Sequence, residues 1–83
     1  MAVSVHTVVD DRIAKYVNRI KEQRHATEAA VVRELIDGGY EGVVRHLHAR
    51  YQRGEFTFRS VADALGLSVR ELYDLFERQG LPT

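Results

Sequence analysis

A short stretch rich in β-branched residues, Val3 to Val9 (VSVHTVV), most constrains what this chain can fold into. Alternation along it favours a strand. One face would carry Val3, Val5, Thr7 and Val9, and the other Ser4, His6 and Val8. No second strand pattern follows, and a lone strand leaves its backbone groups unpaired. We therefore expect it to pair with the same strand of a second copy, forming a two-stranded antiparallel intermolecular ribbon.

Helical patterns follow this stretch. Asp10 and Asp11 supply an N-cap and a favourable charge for a helix that ends near Arg24. Thr27 is the N-cap candidate of a second helix, which Gly38-Gly39 is predicted to end. The apolar faces of these two helices are Ile13, Val17 and Ile20, and Val31, Val32, Leu35 and Ile36.

The rest of the chain predicts a linking helix and a helix-turn-helix. The linking helix runs from about Tyr40 to Gln52. Two short helices, Phe58 to Leu65 and Ser68-capped Val69 to Arg78, flank a turn at Gly66-Leu67. Leu72 and Leu75 are expected to pack on Val61, Ala62 and Leu65. The predicted fold is therefore mainly α, divided into residues 1–39, 40–54 and 55–83.

Composition excludes several protein classes. Cysteine is absent, which removes disulfides and cysteine-ligated metal sites. Twelve basic residues balance twelve acidic ones, but residues 1–54 carry a net charge of +2 and residues 55–83 a net charge of −2. No run is apolar and long enough to span a membrane, and no secretory pattern precedes the domain. We expect a cytoplasmic protein with no membrane partner.

The chain offers little catalytic chemistry. Its four histidines are His6, His25, His46 and His48. His46 and His48 are two residues apart on a helix and point to different sides, so they cannot share a metal within one chain. No glycine-rich phosphate loop or catalytic motif occurs. We expect no metal, no cofactor and no enzymatic activity.

The strand-helix-helix part resembles ribbon-helix-helix DNA-binding proteins. The resemblance covers roughly residues 3–40 and rests on VVDDRIAKYVNRI and ATEAAVVRELI. It implies a homodimer whose ribbon enters the major groove of double-stranded DNA. Base contacts would come from Ser4, His6 and Val8, and phosphate contacts from Thr27, Glu28, Ala29, Arg12 and Lys15. The dimer core would hold Val3, Val5, Thr7, Val9, Ile13, Val17, Ile20, Val32, Leu35 and Ile36.

The C-terminal part resembles one half of a small prokaryotic antitoxin family. The resemblance lies in RYQRGEFTFRSVADALGLSVRELYDLFERQGLP, residues 50–82. In that family a ribbon-helix-helix-like segment precedes this half, so the resemblance covers nearly the whole chain. It implies an antitoxin that neutralises a PIN-domain ribonuclease toxin and represses its own operon. The positions that carry it are Tyr51, Gly54, Phe58, Ala62, Leu65, Gly66, Leu67, Ser68, Leu72, Leu75, Arg78, Gly80 and Pro82.

The outer side of the last predicted helix is acidic, which indicates the kind of partner that this helix contacts. Arg70, Glu71, Asp74 and Arg78 are expected to contact a protein partner, because carboxylates facing phosphates weaken DNA binding. Direct DNA contact and a purely structural role are the alternatives for this helix. The leading prediction for the whole chain is a DNA-binding transcriptional regulator that acts as an antitoxin. The alternative is an interaction or dimerisation module that reads no bases.

Overall fold

The computed structural model describes residues 2–83 and contains four helices. Helix α1 spans Asp11–Arg24, α2 spans Glu28–Gln52, α3 spans Phe58–Leu65 and α4 spans Val69–Arg78. The chain divides into two compact units, Met1–Asp37 (unit 1) and Gly38–Thr83 (unit 2). Helix α2 is continuous across the boundary between these units.

The predicted N-terminal strand is wrong. Residues 2–10 have no regular secondary structure, and no strand occurs anywhere from Ala2 onward. Val3, Val5 and Val8 are 79%, 73% and 97% exposed, so burial does not alternate along the stretch. Alternation indicates two faces but supplies no neighbouring strand to accept the backbone hydrogen bonds, and the rest of this chain is helical. The predicted ribbon is therefore wrong, and with it the division of this stretch into a base-contacting face and a dimer-core face.

The predicted helix starts are confirmed by their caps. Asp10 Oδ1 accepts a hydrogen bond from the Arg12 N–H at 2.8 Å and caps α1. Thr27 Oγ1 accepts from the Ala30 N–H at 3.1 Å at the start of α2. Each side-chain oxygen satisfies an amide that the helix itself leaves without an acceptor.

The predicted helix end at Gly38-Gly39 is wrong, because α2 runs through both residues. Glycine lowers helix propensity by about 0.5–1 kcal/mol relative to alanine, which weakens a helix without ending it. A glycine stop commonly takes the left-handed conformation with positive φ. Gly54, Gly66 and Gly80 do so here, whereas Gly38 and Gly39 do not.

Unit 1 has a very small core. Val17 and Val31 are its buried hydrophobic residues, and Ile20 and Val32 are half-buried. The other predicted core positions on its helices, Ile13, Leu35 and Ile36, are exposed. An ion pair between Arg24 Nη1 and Glu34 Oε2, at 2.6 Å, joins α1 to α2. Exposed ion pairs contribute about 0–1 kcal/mol, so this one adds little to the stability of unit 1.

Unit 2 has a well-formed core, which confirms the packing predicted for its last two helices. The cluster comprises Val44, Val61, Ala62, Leu72, Leu75 and Phe76. The Phe76 ring meets the Phe58 ring edge-on, with 5.7 Å between centroids. Such aromatic pairs add about 0.5–1.5 kcal/mol beyond the burial of their area. This core fixes α3 and α4 on the end of α2.

Candidate nucleic-acid interface

Helices α3 and α4 are joined by a tight turn at Gly66. Gly66 has φ +70°, the left-handed region that favours glycine. The Leu67 N–H donates to the Ala62 carbonyl at 2.9 Å, which closes the end of α3. The turn allows Leu72 of α4 to enter the same core cluster as Val61 of α3. The chain thus builds the short helix, turn and second helix of a helix-turn-helix pair.

A capping box fixes the start of α4. The Glu71 N–H donates to Ser68 Oγ at 3.1 Å, and the Ser68 N–H donates to Glu71 Oε1 at 2.9 Å. The Ser68 backbone N–H, followed by its hydroxyl, lowers the pKa of the Glu71 carboxyl from its ordinary value. The Glu71 carboxylate is therefore engaged within its own helix start. The Ser-x-x-Glu spacing is the sequence signal for this capping box.

The first two turns of α4 present a mixed exposed surface. Val69 and Tyr73 are exposed, Tyr73 by 51%, and Arg70 lies between them. Arg70 forms no ion pair with any residue between Ala2 and Thr83. Asp74 begins the acidic part, which continues with the exposed Glu77, and Arg78 ends the helix. The predicted contact residues Arg70, Glu71, Asp74 and Arg78 are thus all exposed, but Glu71 serves as a cap.

Glu55, in the loop before α3, forms ion pairs with two of the nearby arginines. Glu55 accepts hydrogen bonds from Arg50 Nε at 3.1 Å and from Arg53 Nε. Arg53 first, and then Arg50, lower the pKa of the Glu55 carboxyl. The Arg50 guanidinium also lies over the Phe56 ring, 4.2 Å from its centroid. The arginine side chains that α3 and the start of α4 leave exposed are Arg59 and Arg70.

Three side chains at the end of α2 hold the C-terminal residues. His48 Nε2 donates to the Pro82 carbonyl at 2.6 Å, and Gln52 Nε2 donates to the same oxygen at 3.2 Å. The Tyr51 hydroxyl donates to the Thr83 carbonyl at 2.7 Å. Their spacing of three and four residues places them on one helix face, and no sequence motif marks the carbonyls that they reach.

The two histidines near the end of α2 differ in their surroundings. His48 is buried and packs edge-on against Phe76, with ring centroids 4.9 Å apart, whereas His46 is exposed. Across residues 2–83, no group of three or more His, Asp and Glu side chains is placed to hold a metal ion.

The N-terminal site residues lie together without forming the predicted surface. Ser4 and His6 line an open hollow of about 810 Å³ against α2, which also includes Glu28 and Ala29. Val8, the third predicted base contact, is 97% exposed. Two of the three predicted base contacts and two of the five predicted phosphate contacts therefore line one hollow, but residues 2–83 form no ribbon that presents them to a groove.

The remaining predicted phosphate contacts are partly engaged. Arg12 Nε donates to Asp10 Oδ1 at 3.4 Å, and Thr27 Oγ1 is occupied by the Ala30 amide. Lys15 is exposed on α1. Among the predicted phosphate contacts, Lys15 is a cation that forms no ion pair with any residue from Ala2 to Thr83.

Comparisons with protein-family models, curated proteins and solved structures give no match to this chain. No helix in the described part of the chain is long and apolar enough to cross a membrane.

Proposed function

We propose that this chain is a DNA-binding transcriptional regulator that acts as a homodimer, with α3 and α4 as its DNA-contacting pair. The observation that carries the proposal is the capped α3–turn–α4 unit with Val69, Arg70 and Tyr73 exposed at the start of α4. In helix-turn-helix proteins the N-terminal residues of the second helix contact base edges in the major groove. As part of this proposal, the chain binds DNA without catalysing a reaction and is a cytoplasmic protein of a prokaryote, as the resemblance of residues 50–82 to an antitoxin family implies.

Charge at the start of α4 supports this assignment. The Glu71 carboxylate, which argued against DNA, is turned back onto the Ser68 amide. Arg70 forms no ion pair with any other residue from Ala2 to Thr83, and an arginine can bind guanine O6 and N7 with two hydrogen bonds. The remaining carboxylates, Asp74 and Glu77, follow later along the helix. We therefore assign DNA contact to Val69, Arg70 and Tyr73 of α4.

Self-association is the proposed role of unit 1. Its helices leave Ile13, Tyr16, Leu35 and Ile36 exposed around a core with two buried residues. A core this small contributes little against the conformational entropy of ordering the chain, so burial against a second copy is a natural source of stability. A dimer also presents two copies of α4, as binding to two half-sites requires.

An exchange of Arg70 tests the DNA contact. Arg70→Ala should weaken binding to a fragment of the chain's own promoter by about 1–3 kcal/mol, as judged by fluorescence anisotropy at fixed salt. Arg78→Ala is the matched control, since it removes the same charge from the last turn of the same helix. Equal losses for both variants would show a general charge effect, and no loss for Arg70→Ala would exclude base contact by Arg70.

The antitoxin role is a further part of this proposal, supported by the resemblance of residues 50–82 to that family. The test is co-expression with the product of the neighbouring gene. We expect the two proteins to co-purify and this chain to restore the growth of cells that the neighbour inhibits. Absence of both effects would remove the antitoxin role and leave the regulator.

The second candidate function is an interaction module that reads no bases. The carboxylates of Asp74 and Glu77 on the outer side of α4 favour it, because they would repel phosphates. Asp74→Asn separates the two functions. This exchange should strengthen DNA binding if α4 faces phosphates, and should weaken capture of a protein partner if α4 faces that partner.

A further inference from the structure

Helix α2 contains three glycines within five residues, Gly38, Gly39 and Gly42. Glycine is the second-worst helix former after proline, because it loses the most backbone freedom on folding. None of the three takes a positive φ, the conformation for which glycine is usually required. Their presence in a continuous helix therefore needs another explanation.

Close packing within the chain does not explain these glycines. A β-carbon added at any of the three positions meets no atom within 4 Å. Alanine would consequently fit each site without a clash and would be the better helix former. At three positions the chain therefore has the residue with the lower helix propensity, although its own fold would accommodate alanine.

The glycines also lie in the part of α2 that packs least. Every residue from 33 to 43 is exposed, whereas Val31 before this stretch and Val44 after it are buried. The boundary between the two compact units falls between Asp37 and Gly38. Since most of the stability of a protein helix comes from tertiary packing, this stretch combines weak intrinsic propensity with little packing.

We propose that residues 38–42 are a hinge within α2. The backbone hydrogen bonds of this turn open and close locally while the two ends of the helix stay folded in their own units. This local opening requires no unfolding of either unit. This inference concerns the free chain and stands whether or not the chain binds DNA.

Amide hydrogen exchange of the full chain, followed residue by residue by NMR, tests the hinge. In the unaltered protein, the amides of residues 39–43 should be less protected than those of residues 44–49 in the same helix. Gly38→Ala and Gly42→Ala should each raise the protection factors of residues 39–43 by about two- to fivefold. The double substitution should raise these protection factors by the product of the two single effects. The protection factors of amides in the unit 2 core should change much less.

Glu41→Ala is the matched control, because Glu41 is an exposed residue of the same turn with good helix propensity. It should change protection by less than about twofold. Equal protection of residues 39–43 and 44–49 in the unaltered chain would overturn the hinge. A glycine-to-alanine substitution that lowers these protection factors and dissociates the protein in sedimentation would also overturn the hinge. Such a result would show that the glycines allow another chain to pack closely against α2.

Discussion

The Glu71 carboxylate accepts a hydrogen bond from a backbone amide at the start of its own helix, α4. Ser68 and Glu71 exchange two hydrogen bonds across the first turn of α4, so each satisfies a backbone amide that would otherwise lack an acceptor. The same pair sets the direction in which Arg70 and Tyr73 are presented. A residue that looks like part of an acidic surface is thus a structural element of the proposed DNA contact.

Removal of the Ser68 hydroxyl should lower the stability of unit 2. Ser68→Ala leaves the Glu71 amide without its acceptor, and we expect a loss of about 1 kcal/mol in the free energy of unfolding. Urea denaturation followed by circular dichroism measures the change. Ser4→Ala, at an exposed position outside any helix, should stay within about 0.5 kcal/mol of the unaltered protein. Equal stability of the two variants would show that the cap contributes nothing.

Glu71 should also make stability dependent on pH. The pKa of its carboxyl is lower in the folded chain than in the unfolded one, so the ionised form stabilises the fold at neutral pH. This contribution is lost in acid, as the pH falls through the lowered pKa. Glu71→Gln removes the titrating group and should flatten the dependence of the melting temperature on pH below about 4.5, the ordinary glutamate value. An unchanged acid slope would contradict the assignment, and Glu55, whose pKa is lowered too, contributes to the slope that remains.

At the scale of the elements, the same residue type ends one helix and continues another. Gly66 ends α3 in the left-handed conformation, and Ser68 caps α4 directly afterwards. Gly38 and Gly39 stay helical inside α2. Whether a glycine ends a helix or continues it therefore depends on the surrounding residues.

Exchanges of Gly66 and Gly39 to alanine should have opposite signs. Gly66→Ala forces a β-carbon into the left-handed region at a cost of about 1–2 kcal/mol. Gly39→Ala meets no neighbour and should stabilise α2 by about 0.5–1 kcal/mol. Thermal unfolding of both variants checks the signs. Destabilisation by Gly39→Ala would mean that this position is packed against another chain.

The elements also show how far the sequence predicts this fold. The limits of α3 and α4 were predictable because stop, cap and apolar spacing agree at Gly66, Ser68 and Leu72. The helix end predicted at Gly38-Gly39 is wrong because no N-cap residue follows it to start a new helix. The Val3–Val9 strand misled because alternation is visible in a sequence, whereas the neighbouring strand that it needs is not. The His48–Pro82 contact joins residues 34 apart and has no local signal.

At the scale of the whole molecule, exposed apolar residues are concentrated in unit 1. Among the residues that the structure describes, eight of the twelve large exposed hydrophobic side chains lie in unit 1, between Val3 and Ile36. Scattered exposed residues need no explanation, but a contiguous group of them marks an interaction surface. This distribution is the basis for the proposed self-association of unit 1.

Ile36, which is 59% exposed, tests that self-association. Ile36→Glu should shift the protein from dimer to monomer in sedimentation equilibrium, because a carboxylate cannot be buried against a second copy without a partner. Ile36→Val keeps an apolar side chain and should leave the dimer in place. A protein that is monomeric before any exchange would remove the homodimer.

The central claim is that this chain binds DNA, and titration of a labelled fragment of its own promoter against rising salt tests it most directly. We expect binding that is tighter than to an unrelated fragment of equal length, and that weakens by at least about tenfold between roughly 50 and 200 mM salt as phosphate contacts are lost. No binding to the promoter fragment at the lowest salt, or equal binding to both fragments, would contradict a sequence-specific regulator.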